Sequence, residues 1–256
     1  SCSLEFPTRP APDNPRPAQH MMVVAGDACT ETGIPGMESA MDFIGVAFHG
    51  MAVSHIDALC HHWTEDGMWD GHDPAKEIGF EGAKQGGIDA WKDGIMTRGV
   101  LLDVPRHRGV PYVEVGSPVH VWELEEIAKA QGVEPGPGDA LLLYCGREVY
   151  ATDHGGIFYD GSSYPGVHPS SLKFLRDREV ALIVWDMSDE PVFEYGKSRS
   201  IHAVLSSFGM AIVDNALLEP LAKACAEEGT YEFMLTINPL KVIGGTGSPV
   251  NPIAVF

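Results

Sequence analysis

Six apolar runs of strand length constrain the fold more than any other feature: GVLLDV (99–104), DALLLYC (139–145), VALIVWD (180–186), MAIVD (210–214), YEFMLTI (231–237) and NPIAVF (251–256). Most are bounded by Gly, Asp or Asn, residues that close strands. Between them lie stretches with helical patterning. In SPVHVWELEEIAKAQGV (117–133), Pro118 fits a first turn, glutamates follow it, and Gly132 stands where a C-terminal cap belongs. HPSSLKFLRDREV (168–180) and SRSIHAVLSSFG (198–209) read the same way, each delivering the chain into a strand. This alternation predicts an α/β fold with a mixed sheet and surrounding helices.

The chain has no internal repeat, low-complexity tract or mid-chain Pro/Ser linker, so a single domain is expected. Residues 1–38 are dense in Pro, Gly and polar side chains. They are expected to form an irregular arm that wraps the body, residues 39–256, or a neighbouring subunit. GPGDA and GGTGSP read as turns, and neither has the strand, loop and helix context of a nucleotide-binding loop.

Charge narrows the partners. Lys and Arg number 17 against 36 Asp and Glu, a formal net charge of −19. No basic cluster offsets it, so neither nucleic acid nor an anionic membrane is expected to bind. No apolar run has the length needed to span a bilayer. The five cysteines (Cys2, Cys29, Cys60, Cys145, Cys225) are scattered without a CxxC pair, which speaks against a disulfide framework and against a thiolate zinc site. With reduced thiols and no basic-then-apolar leader, a cytoplasmic location is expected. The expected partners are a small-molecule substrate and further copies of the chain, as a dimer or tetramer.

Chemistry concentrates in residues 48–73, FHGMAVSHIDALCHHWTEDGMWDGHD, which hold five of the eleven histidines. His55 and Asp57 are one residue apart, a spacing that puts both side chains on one side of an extended segment and lets them converge on a cation. Imidazole with carboxylate suits zinc, manganese or ferrous iron. His61, four residues beyond Asp57, stays near such an ion if the chain turns there, and could move protons. The alternative is an ordinary hydrogen-bonded histidine, since an HxD pair also arises by chance. Cys60 beside His61 raises a thiol nucleophile, yet sequence neighbours usually point apart and no group is evident that would orient the pair.

SHIDALCHH resembles the core of the HxGTHxDxPxH motif of bacterial kynurenine formamidases and of the wider cyclase family, in the DALCH style of longer members such as isatin hydrolase. HAVLSSFGMAIVDN (202–215) is similar to a family segment in which a histidine is followed twelve positions later by an acidic residue and then Asn. The tail YEFMLTINPLKVIGGTGSPVNPIAVF is similar to the family's ending. The resemblance runs from about residue 45 to the C-terminus. It implies a swivelling β/β/α fold, with His55, Asp57, His202 and Asp214 as metal ligands and His61 as general acid/base. Two departures stand out: the family's first histidine aligns with Met51, and Asp214 stands where the family has Glu. They imply one divalent ion, manganese or zinc, in place of two.

The resemblance further implies hydrolysis of a cyclic amide, imide or lactone, or of an aryl formamide. Phe43, Phe48, Trp63, Phe158 and Tyr159 are candidate walls for a flat substrate, although each could equally be ordinary core. Ring closure in a biosynthetic pathway would use the same metal and base. A non-catalytic metal-binding protein is the third reading.

Overall fold

The computed structural model describes residues 1–26, 39–157, 164–190 and 201–256. Eight strands form one mixed sheet, and its order follows from the apolar runs. The centre is parallel: β6 (Ile95–Asp103), β7 (Ala140–Tyr144), β9 (Leu182–Trp185) and β11 (Ala211–Asp214) lie side by side. Strand β7 is buried along its whole length, as a strand covered on both faces must be, and for that reason its sequence reads as a continuous apolar run. Antiparallel strands close both ends. Next to β11 come β3 (His55–Asp57) and β13 (Gly247–Pro249); next to β6 come β12 (Glu232–Ile237) and β14 (Ile253–Val255).

Helices connect the parallel strands. α2 (Val104–Arg108) and α3 (Val121–Gln131) link β6 to β7. α4 (Arg147–His154) and α5 (Ser171–Asp177) link β7 to β9. α6 (Val204–Ser207) precedes β11, and α7 (Glu219–Glu228) follows it. Side chains alternate across the sheet into two cores. One joins Ile56, Leu101, Leu142, Val184 and Val213 to Leu221 and Cys225 of α7. The other joins Leu141, Leu143, Ile183, Trp185 and Ile212 to Leu124, Phe174 and Leu205 of α3, α5 and α6. Among the described residues there are three smaller strand pairs: α1 (Pro74–Glu77) leads into β4 (Ile78–Gly79), which pairs with β5 (Gly82–Ala83), and β8 (Gly166–Val167) pairs with β10 (Ser188–Asp189). The third is the ribbon of β1 (Gln19–Val24) and β2 (Met41–Gly45).

Several expectations change in detail. The N-terminal arm is not irregular throughout: residues 19–24 are a strand antiparallel to β2, and Cys2 is buried with its N–H on the Pro252 carbonyl at 2.8 Å. The end of GGTGSP is strand β13 and not turn, because β3 offers it an edge to pair with. Pro118 lies before the helix, which starts at Val121 after His120. Gly132 does cap it, in the left-handed conformation at φ 69° that glycine adopts without steric cost.

Candidate metal centre

The site starts on β3. A strand's two-residue period turns His55 and Asp57 to one face and sends Ile56 into the opposite core. The antiparallel register sets Asp214 of β11 directly opposite His55, so that the two residues share a face. On the other side of β3, Gly247 lies opposite Asp57. A Cβ at residue 247 would stand 2.6 Å from the Ile56 carbonyl and 2.9 Å from Cε1 of His49, so only glycine lets this strand close against the site. His202 arrives from the β9–β11 crossover. It sits in a 3-10 turn, Ile201–Ala203, and not within the helix that follows.

Imidazoles surround Asp57. Its Oδ1 is 3.1 Å from His49 Nδ1, 3.4 Å from His55 Nε2 and 3.7 Å from His61 Nε2, and its Oδ2 is 4.0 Å from His202 Nε2. The second carboxylate, Asp214, has Oδ2 at 3.3 Å from His202 Nε2 and 3.9 Å from His55 Nε2. His55 donates from Nδ1 to the Val53 carbonyl at 2.8 Å, which directs Nε2 toward both carboxylates. The Trp185 indole donates to Oδ1 of Asp214. His61 lies on a turn, its N–H bonded to the Ala58 carbonyl at 2.9 Å, and its ring stacks on His49 at 3.7 Å.

Electrostatics follow from burial and neighbours. Burial alone would raise Asp57, but the His49 and His55 imidazoles outweigh it and hold the carboxyl well below its usual range. Burial likewise opposes charge on His202, yet Asp189 and Asp214 leave it well above the ordinary imidazole value. His61 goes the other way. Burial, with His49, His62 and His202 nearby, pushes it down to about 3 against the pull of Asp57. Cys60 is buried and its thiol pushed up to about 11, chiefly by burial, so it stays protonated and unsuited to nucleophilic attack.

Do these residues fit a metal ion? Both oxygens of Asp57 are buried and lack an aligned hydrogen-bond donor, although nitrogens of four imidazoles lie within 4.0 Å of them. Among the described residues, two groups of three could hold an ion, His49–Asp57–His61 and His55–Asp57–Asp214, and they share Asp57. The donors are imidazole nitrogens and carboxylate oxygens, a set that suits zinc or manganese. The residues fit.

His49 was missed by the sequence reading, which counted back from the family motif to Met51. The Met51 side chain packs against the helix-side core, and the imidazole beside Asp57 comes from two residues earlier. His49 is further held by Thr246 Oγ1 at 2.9 Å. His62 was also missed; its ring meets those of His61 and His202 edge-on at 4.4 and 5.0 Å. The aromatic candidates divide. Phe48 lies 4.5 Å from the His49 ring and 5.8 Å from that of His55, and helps line a cavity of about 270 Å³ between residues 12–16 and 47–53. Trp63 is 48% exposed, and Phe43, at 47%, lies on the β1–β2 ribbon; neither lines this cavity. Phe158 and Tyr159 lie outside the described residues.

Residues 14–189 match the family model described as "Putative cyclase". Among solved structures, one described as a novel cyclase is 25% identical with a TM-score of 0.84, covering 100% of this chain and 85% of its own. Isatin hydrolase A from Ralstonia solanacearum is 14% identical with a TM-score of 0.64, covering 100% and 90%. A predicted metal-dependent hydrolase from Bacillus stearothermophilus is 14% identical with a TM-score of 0.56, covering 99% and 95%. The last two are alike in fold. No curated protein matches the chain.

Proposed function

The chain belongs to the putative cyclase family, and from that premise we propose that it is a metal-dependent hydrolase that opens a cyclic amide, imide or lactone, or cleaves an aryl formamide. The observation that carries this reading is Asp57, a buried carboxylate with neither oxygen hydrogen-bonded, ringed by His49, His55, His61 and His202. His55, Asp57 and Asp214, with His202 beside them, would hold a divalent ion, manganese or zinc. When bound, that ion supplies Lewis acidity toward a carbonyl oxygen and makes a water molecule more acidic.

The chain's own groups do the rest. His61 is neutral near pH 7, because burial disfavours its charge, so its ring can accept a proton from the attacking water. Asp57 lies 3.7 Å from His61 Nε2 and would stabilise the imidazolium until the proton passes to the leaving nitrogen or oxygen. Phe48, beside His49 and His55, offers a flat apolar surface on which an aryl or fused ring can rest. Ring closure would run through the same groups in reverse, and product analysis on isatin-like, formamide and lactone compounds separates the two directions.

The exposed apolar side chains of the ribbon, Met21, Val23, Phe43 and Ile44, support an assembly of copies, a dimer or tetramer, which sedimentation measures. The four described cysteines are buried free thiols, consistent with a cytoplasmic setting. No helix among the described residues is long and apolar enough to cross a membrane.

The deciding experiment measures metal content and turnover together. Asp57→Ala is expected to lose most metal and essentially all activity. His61→Ala is expected to keep metal and lose turnover by about 10²- to 10⁴-fold. Full metal occupancy in Asp57→Ala removes this site from consideration, and metal loss in His61→Ala makes His61 a ligand.

A further inference from the structure

We infer that Asp189 is a positioning residue for the metal centre, holding the His202 ring with Nδ1 protonated toward itself and Nε2 directed toward Asp57 and Asp214, where it would meet an ion. The inference rests on the metal-hydrolase reading of the site and adds a residue to it. Asp189 ends strand β10, is fully buried, and approaches His202 from the side opposite the two carboxylates. Its Oδ1 lies 3.1 Å from His202 Nδ1 and also accepts the Ser188 hydroxyl at 3.1 Å. Its Oδ2 accepts the Ile201 N–H at 3.0 Å.

An ionised carboxylate only accepts hydrogen bonds, so the ring nitrogen facing it carries the proton. Nε2 faces carboxylates as well, 3.3 Å from Asp214 Oδ2 and 4.0 Å from Asp57 Oδ2, so the proton a bound cation would displace is the one at Nε2, while the bond to Asp189 keeps the other at Nδ1. The bond to Ile201 N–H fixes the backbone one residue before His202, so Asp189 locks the turn and the ring together.

The support continues behind Asp189. Strand β10 pairs in parallel with β8, Ser188 opposite Gly166 and Asp189 opposite Val167. A Cβ on Gly166 would fall 1.8 Å from the Ser188 carbonyl oxygen, so the pairing that carries Asp189 requires glycine there. A carboxylate at this depth is costly unless its oxygens are hydrogen-bonded, and its bonds to Ile201 and His202 hold the His202 turn while that to Ser188 ties it to its own strand.

Asn is nearly isosteric with Asp but has one acceptor and one NH₂ group. If its oxygen faces His202, the NH₂ meets the Ile201 N–H, donor against donor. If it flips, the NH₂ demands a lone pair at Nδ1 and drives the proton to Nε2, the nitrogen needed for the metal. Either way Asp189→Asn weakens the centre, where loss of such an outer partner typically costs about 10- to 100-fold in metal affinity.

The test measures Zn²⁺ and Co²⁺ affinity by chelator competition in wild type and Asp189→Asn, the cobalt absorption spectrum of each, and histidine ring ¹⁵N signals of the zinc-loaded wild type. Expected are a loss in affinity of about 10- to 100-fold in the variant, an altered cobalt spectrum, and a wild-type His202 ring protonated at Nδ1 and metallated at Nε2. A merely structural role would lower the melting temperature of the metal-free variant and leave the affinity and cobalt spectrum of the folded protein unchanged, and that result overturns the inference alone. Wild-type protein that binds neither ion overturns the hydrolase reading, and this inference with it. Should the variant fail to fold, the wild-type ring signals decide: a His202 bare at Nδ1 refutes the assignment.

Discussion

Replacing Arg147 by methionine should loosen the loop that delivers His49 and His55 to the metal centre. The Arg147 guanidinium is buried at the start of α4 and donates to the Met51 carbonyl at 2.5 Å and to Asn215 Oδ1 at 2.9 Å. Asn215 donates in turn to the carbonyls of Gly50 at 2.6 Å and Val53 at 3.1 Å. Thus two side chains grip residues 50, 51 and 53, between the two histidines. Removing one member of a buried charged network costs about 3–5 kcal/mol. The low end applies here, because the nearby Asp186 carboxylate keeps three backbone N–H donors, from Cys145, Gly146 and Arg147 itself. At about 2–4 °C per kcal/mol for a chain of this size, Arg147→Met should melt roughly 6–12 °C below wild type. Arg147→Lys keeps a charge but loses the planar fork, so it should meet one acceptor and not both, and fall between. Differential scanning calorimetry gives the melting temperatures, and hydrogen exchange at residues 49–55 reads the loop directly. A methionine variant that melts within about 2 °C of wild type, with unchanged exchange there, refutes the reasoning.

The remaining predictions concern the neighbouring loop and the buried acids. His49→Ala should weaken zinc binding, whereas Met51→His should add no bound metal and cost stability, because residue 51 packs into the helix-side core; metal analysis and melting curves distinguish the two, and a gain of metal in Met51→His would show that the loop re-registers. Glu148 has both carboxylate oxygens buried without a hydrogen bond, and burial, then Asp186, raises it to about 7 from 4.5. The unfolded chain releases that proton at lower pH than the folded one, so stability falls as pH rises from about 4.5 to about 7. Glu148→Gln mimics the protonated acid. It should leave the melting temperature unchanged near pH 4.5 and raise it above pH 7 by roughly 2–6 °C, allowing for solvent screening; an equal shift at both pH values would point to packing instead. Gly209 has φ 64°, and a Cβ there would lie 2.8 Å from the Trp69 ring. Gly209→Ala should therefore destabilise by about 1–3 kcal/mol, read by urea unfolding.

The central strands were legible because burial on both faces writes itself as an unbroken apolar run, as in Ala140–Tyr144. The pairing of His55 with Asp57 on one strand was legible for the complementary reason, that polar residues two apart share a face. Strands β1 and β2 were not. Both lie in a two-stranded ribbon whose side chains are mostly exposed, so no alternation marks an inner face. His202 and Asp214 were singled out through the matching segment, but Asp189 and Arg147 carry no local signal: each reaches the site through residues 12 or more positions away. His49 shows the limit most clearly. Whether residue 49 or residue 51 turns toward Asp57 depends on which backbone carbonyls Arg147 and Asn215 hold, and that is decided by parts of the chain roughly a hundred residues downstream or more.

The donor set of the centre follows from the same architecture. Cys60 stands three residues from Asp57 and beside His61, close enough in sequence to offer a thiolate to the ion. It lies instead in the core on the opposite face of the sheet, with Ile56 and Ala58. Its thiol is directed to the Gly245 carbonyl, 4.0 Å away, and burial keeps it protonated. The turn that follows β3, closed by the His61 N–H on the Ala58 carbonyl, carries His61 to Asp57 and sends Cys60 into the core, and so withholds sulfur from that face. What remains are imidazoles made ready by hydrogen bonds at their far nitrogens, Val53 for His55 and Asp189 for His202, and carboxylates whose negative charge those rings already favour. In a chain with a formal charge of −19, the crowding of imidazole nitrogens around two buried acids is what would single out this place for a cation, since exposed acids elsewhere retain their water and gain little by binding one.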